Sequence, residues 1–190
     1  MDARPETKSA LDSFSDQELI AAINGGESVA FEVLYYRHRD WVVNLAYRFT
    51  GDRDLALDVL QEVFLYFLKK FPGFQLTANL RTFFYPAVRN LSLTARRKTQ
   101  RYQSNESELK QIETSPAAEA IPPQREQLAA ALGCLSEEHR EVLLLRFADG
   151  LKLGEIAEAL EIPLGTVKSR LHNALETLRH DKRTKEFFAR

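Results

Sequence analysis

Apolar residues recur at three- and four-residue spacing through almost the whole chain, and no segment alternates like a half-buried strand over a convincing length. That pattern restricts the fold to packed helices. Ser15 and Glu18 form a capping box at the start of the first, with Phe14 and Leu19 placed for a hydrophobic staple. Asn24-Gly25-Gly26 stops it. A second helix is expected from about Ser28 to Thr50, on Val29, Phe31, Val33, Leu34, Trp41, Val42, Leu45, Ala46 and Phe49, with Gly51-Asp52 as the break. A third runs from about Asp54 to Lys70 on Leu57, Leu60, Val63, Phe64, Phe67 and Leu68, and Pro72-Gly73 ends it. A fourth spans about Ala78–Gln100, where Pro86 should kink it.

From about residue 101 to 125 the chain turns to Ser, Gln, Glu, Pro and Ala, and Pro116 and Pro122-Pro123 interrupt any helix. This composition suits a flexible linker. Helical patterning resumes near Glu126, and breaks at Leu135-Ser136, Asp149-Gly150 and Glu161–Gly165 divide the remainder into roughly four helices. The expected fold is therefore all-α: two small helical domains, 1–100 and 126–190, joined by a flexible linker, 101–125.

Several function classes drop out early. No apolar run approaches a bilayer span, and Met1–Ser13 lacks the basic-then-apolar layout of a secretory signal, so no membrane insertion is expected. Cys134 is the only cysteine, which excludes an intrachain disulfide and fits a reducing cytoplasm. Set between Leu132 and Leu135, it reads as a small core hydrophobe rather than a redox sensor. His38, His139, His172 and His180 are scattered without metal-ligand spacing. Neither a glycine-rich phosphate loop nor a nucleophile motif is present, so no catalytic residue, metal or cofactor is expected.

The formal net charge of −1 says nothing about nucleic acid, but its distribution does. Asp and Glu are absent from Val63 to Asn105, a stretch holding Lys69, Lys70, Arg81, Arg89, Arg96, Arg97, Lys98 and Arg101. Asp52, Asp54, Asp58 and Glu62 lie just before it. One face of the N-terminal half should attract phosphate and another repel it. Phe71, Phe74, Phe83, Phe84 and Tyr85 lie within the basic stretch, where aromatic faces beside cations suit unstacked bases. Aromatics at helical spacing are also ordinary core, so only about two of the five should be available.

The C-terminal half repeats the charge pattern on a smaller scale. Between Glu161 and Glu176 there is no acid, but Lys168, Arg170 and His172 are present. Ile156, Ala157, Leu160, Ile162, Val167 and Leu171 have the spacing of two short helices packed across a tight turn, with Gly165-Thr166 as the cap of the second. That helix would present Thr166, Lys168, Ser169, Arg170, His172 and Asn173 outward at its N-terminal end, as a recognition helix does in the major groove.

Glu138–Phe147, Glu155–Leu160 and Gly165–Ala174 resemble region four of bacterial RNA polymerase sigma factors, most closely the extracytoplasmic-function (ECF) group. Ala30–Tyr35, Asp58–Leu65 and Arg81–Tyr85 followed by Arg89-Asn90 resemble region two. The resemblance implies a region-two helical bundle, a region-four helix-turn-helix domain, and a cytoplasmic promoter-specificity factor with no enzymatic activity of its own. Its partners would be core RNA polymerase, promoter DNA and an anti-sigma factor. Asp58, Gln61, Glu62 and Leu65 would contact the polymerase. The loop about Pro72–Asn79 would take a flipped base of the minus-ten element. Arg81, Phe84, Arg89, Asn90, Arg96 and Arg97 would handle the opened strand, and the recognition helix would read the minus-thirty-five element. Glu161 stands where the family commonly has Gly, and a left-handed backbone there would cost roughly 1 kcal/mol or more. Two competing readings remain. One is a sigma mimic that sequesters an anti-sigma factor without binding DNA, which leaves the basic run from Arg89 to Arg101 unexplained. The other is a DNA-binding regulator independent of polymerase, which leaves Asp58–Leu65 unexplained.

Overall fold

The computed structural model describes residues 11–106 and 132–181, with the backbone alone for 102–106. Among these residues seven helices and no strand are found: α1 (Asp16–Asn24), α2 (Ser28–Thr50), α3 (Arg53–Leu68), α4 (Leu80–Glu106), α5 (Glu137–Phe147), α6 (Leu153–Leu160) and α7 (Leu164–His180). The chain divides into two compact units, Met1–Leu109 and Lys110–Arg190.

In the N-terminal unit α2 packs against α1, α3 and α4, and α3 packs against α4. Local chemistry sets the helix ends. The capping box is made: the Ser15 and Glu18 side chains each take the other's backbone N–H, at 2.7 Å to Glu18 Oε2 and 3.3 Å to Ser15 Oγ. Gly51 closes α2 in the left-handed conformation, φ 68°. Asp52 then caps α3 by accepting from the N–H groups of Asp54 and Leu55. Leu19, Leu34, Leu45, Val63, Phe67, Leu80, Phe84 and Tyr85 form the floor of the core.

Two expectations need correction here. Leu57 and Leu68 belong to no core; they are exposed, because α3 carries a second, outward-facing apolar stripe. Pro86 lies inside α4, which continues on both sides of it, as the expected helix did. The ring removes one N–H that would have met the Thr82 carbonyl. The same helix extends to Glu106, into the segment expected to be linker; residues 107–125 and the resumption near Glu126 lie outside the described residues.

In the C-terminal unit α7 packs against both α5 and α6. Leu135, Leu143 and Ala174 form a small core on which Leu132, Cys134, Leu171 and Leu178 close, so Cys134 serves as a hydrophobe. Arg140 fastens the chain ahead of α5, donating from Nε to the Leu132 carbonyl and from Nη2 to that of Leu135, both at 3.0 Å. Glu161 ends α6 at φ 54°, ψ 41°, in the left-handed conformation that the family's usual Gly would take without strain. The cap of α7 differs from expectation. The helix begins at Leu164 after Pro163, so Gly165 and Thr166 sit inside its first turn. The N–H groups of Thr166 and Val167 go to the Pro163 carbonyl instead of a side chain.

Candidate nucleic-acid interface

Burial divides α3 along its length. Val59, Leu60, Val63, Phe64 and Phe67 face the core, while Asp58, Gln61, Glu62 and Leu65 are all exposed. With them stand Leu57, Tyr66 and Leu68, each more than 40% exposed. Acids interleaved with uncovered large apolar groups have the composition of a docking surface. The three apolar members were not legible as such, since their spacing also suits a core.

After α3 the loop 69–79 crosses to α4. Phe67 is the hub of an aromatic cluster here, with ring centroids of Phe71, Phe74 and Phe83 at 5.1, 5.3 and 5.9 Å. Phe74 and Phe83 also meet edge-on at 4.9 Å. Phe71, Phe74 and Phe83 are half-buried; Phe84 and Tyr85 are fully buried. Phe84 therefore offers no face to a base, contrary to expectation: its ring lies against Phe64, Phe67 and His38. Asn90, Arg96 and Arg97 are exposed, and Arg81 and Arg89 half-buried. The Arg81 guanidinium lies 5.6 Å from the Trp41 ring centroid, and Lys70 Nζ lies 4.6 Å from that of Tyr66.

Two features went unforeseen. The side-chain amide of Asn24, at the end of α1, spans to the 69–79 loop: Nδ2 donates to the Phe74 carbonyl at 2.8 Å, and Oδ1 accepts from the Gly73 N–H at 2.7 Å. In the sequence Asn24 signals only a helix stop. Asp16, on α1, holds α2 through Arg37 at 2.8 Å and the buried His38 at 2.9 Å. Burial pushes the Asp16 carboxyl up, but hydrogen bonds and charge from His38 and Arg37 outweigh it and leave the pKa below the ordinary 3.8.

On α7, Lys168, Ser169, His172 and Asn173 are exposed and Thr166 is half-buried. Arg170 departs from the expected outward pose. Its Nη2 lies 2.7 Å from Glu138 Oε2 on α5, and its side chain is only 22% exposed. Among the described residues no group of His, Cys, Asp and Glu could hold a metal, and no helix is long and apolar enough to cross a membrane.

Comparison with known proteins agrees with this arrangement. Residues 34–102 match the sigma-70 region 2 family and residues 131–180 the sigma-70 region 4 family, together more than half of the chain. Two helical units matching successive regions of one family define a sigma-70-type chain. The ECF RNA polymerase sigma factor SigW of Bacillus subtilis is 28% identical over 177 residues, covering 86% of this chain and 95% of that protein. The ECF RNA polymerase sigma-E factor of Escherichia coli is 27% identical over 180 residues, 88% of this chain and 94% of that one. The chain belongs to the sigma-70 family, in its ECF group. Among solved structures, CnrH in complex with the cytosolic domain of CnrY shares the fold at TM-score 0.61 and 21% identity, over 86% of this chain and 94% of that one. The sigma factor RpoE of Bartonella quintana, in complex with the anti-sigma factor NepR, does so at 0.57 and 22%, over 78% and 94%.

Proposed function

We propose that this chain is a promoter-specificity factor that binds core RNA polymerase and directs initiation at a particular set of promoters. The observation that carries the reading is the segregation of two chemistries onto consecutive helices of one unit. The outward face of α3 is acidic and apolar, whereas α4 and the loop before it contain no acid up to Asn105.

The α3 face docks on polymerase through Asp58, Gln61, Glu62 and Leu65, with Leu57, Tyr66 and Leu68 supplying apolar area. The loop Pro72–Asn79 takes a flipped base of the minus-ten element, and Arg81, Arg89, Asn90, Arg96 and Arg97 hold the opened strand. Extruding a base costs a few kcal/mol, which a stacking pocket and phosphate contacts offset. In the C-terminal unit Lys168, Ser169, His172 and Asn173, with Thr166 beside them, read the duplex minus-thirty-five element. An amide such as Asn173 pairs bidentately with adenine, and Lys168 reaches guanine acceptors or phosphate. Arg170, tied to Glu138, orients the helix instead of reading bases. The bond-forming chemistry belongs to polymerase, the site of action is the cytoplasm, and an anti-sigma factor is the third partner, as in the related complexes.

Transcription from a promoter panel, with core polymerase alone and with this chain added, tests the reading. New promoter-dependent transcripts are expected. Tight anti-sigma binding with no transcript would replace it with the sigma-mimic reading.

A further inference from the structure

The loop 69–79 has one unusual attachment. A single side chain outside it, Asn24, satisfies two of its backbone groups at once, the Gly73 N–H at 2.7 Å and the Phe74 carbonyl at 2.8 Å. An N–H can only donate and a carbonyl only accept, so this pair of partners needs a side chain that does both, and it fixes which way the Asn24 amide points. Gly73 sits at φ 100°, in the left-handed region, so its N–H is aimed by a conformation that glycine alone adopts without strain. Beside the bridge lies an open cleft of about 460 Å³, bordered by Ile23, Phe31, Leu68, Phe71 and Pro72. The two hydrogen bonds of Asn24 are a direct link between α1 and the loop.

We propose that Asn24 is a positioning residue for base reading: it latches the loop so that Phe74 and its neighbours keep the shape that accepts an unpaired base. The proposal rests on the assignment of this loop to the minus-ten element. Two aromatic contacts, of Phe71 and Phe74 with Phe67, already hold the loop to α3. Losing the latch therefore loosens the loop without unfolding the unit. Asp at this position still accepts from Gly73 but sets a carboxylate against the Phe74 carbonyl, so it should fail as Ala does.

The test uses the full chain assembled with core polymerase. It is offered a pool of promoter forks, randomised both at the unpaired minus-ten bases and in the upstream duplex. In Asn24→Ala and Asn24→Asp the preference at the unpaired positions should flatten by about tenfold, the scale of two lost neutral hydrogen bonds. Upstream duplex preference and polymerase affinity should stay within about twofold of wild type. Amide exchange at Gly73, measured on the same variants, should accelerate. Retained base preference overturns the proposal. So does a parallel loss of polymerase affinity, which would make Asn24 a prop for the whole unit. A wild-type chain with no unpaired-base preference overturns the loop assignment itself, and that result is visible before any variant is made.

Discussion

Phe84 has no exposed surface, and its ring meets those of Phe67 and Phe64 at 5.2 and 5.3 Å. Phe84→Ala should therefore cost about 3–5 kcal/mol through lost burial and the cavity left behind. Thermal unfolding of the N-terminal unit would show it as a lowered midpoint, with polymerase and DNA binding lost together. A variant that keeps its stability and loses only strand binding would return Phe84 to the surface. Asp16 allows a prediction in pH. Its folded pKa is depressed, so the stability it contributes is present above the ordinary 3.8 and is lost as pH falls through the folded value. Asp16→Asn should be less stable than wild type at pH 7, and the gap should close as the pH is taken below 3.8. Urea unfolding at several pH values measures the gap; a constant difference would mean that Arg37 and His38 contribute nothing through its charge.

At the scale of elements, the turn between α6 and α7 stores strain and the α5–α7 contact carries a charge pair. Glu161 is the one non-glycine residue with positive φ among those described. Glu161→Gly should stabilise the C-terminal unit by roughly 1 kcal/mol, a rise of about 4–8 °C in Tm for a unit of this size. An unchanged or lower melting point would show that glycine's greater unfolded-state freedom cancels the relief. The Glu138–Arg170 pair is partly exposed, 65% and 22%, so its coupling in a double-mutant cycle should fall within about 0.2–1 kcal/mol. Glu138→Ala should weaken binding to the upstream element modestly by releasing α7; if Arg170 read DNA itself, the same change would leave binding intact or tighten it. These elements also mark what the sequence discloses. The capping box and the Gly51 stop were legible because each is a matter of a few adjacent residues, whereas the strain at Glu161 was signalled only by the family's usual Gly at that position. The partner of Arg170 and the reach of Asn24 to Gly73 were not, since each joins residues that only folding brings together. The start of α7 was misplaced because Pro163, whose carbonyl takes the first N–H groups, competes with Gly165-Thr166 for the same role.

For the molecule as a whole, the net charge of −1 conceals the feature that organises function. The region-two and region-four identities were readable from two motif sets in the right order. The separation of an acidic, apolar face on α3 from the acid-free α4 became plain only when burial divided the two sides of α3 and placed Phe84 in the core. If acid and base act as separate surfaces, they must fail separately. Asp58→Lys with Glu62→Lys reverses the α3 face while leaving its buried side untouched, so polymerase affinity should fall and the fold persist. Binding of the isolated chain to single-stranded DNA should hold or strengthen, because charge that opposed phosphate is gone. Arg96→Ala with Arg97→Ala should do the converse. Polymerase affinity stays, strand binding weakens, and the slope of log K against log salt drops by about 1.4, the release of two single-strand counterions. Both variants titrated against polymerase and against oligonucleotide at several salt concentrations complete the comparison. If either pair lowers both affinities to the same degree, the two faces are not independent, and the chain acts as one continuous surface that the polymerase and the strand occupy only together.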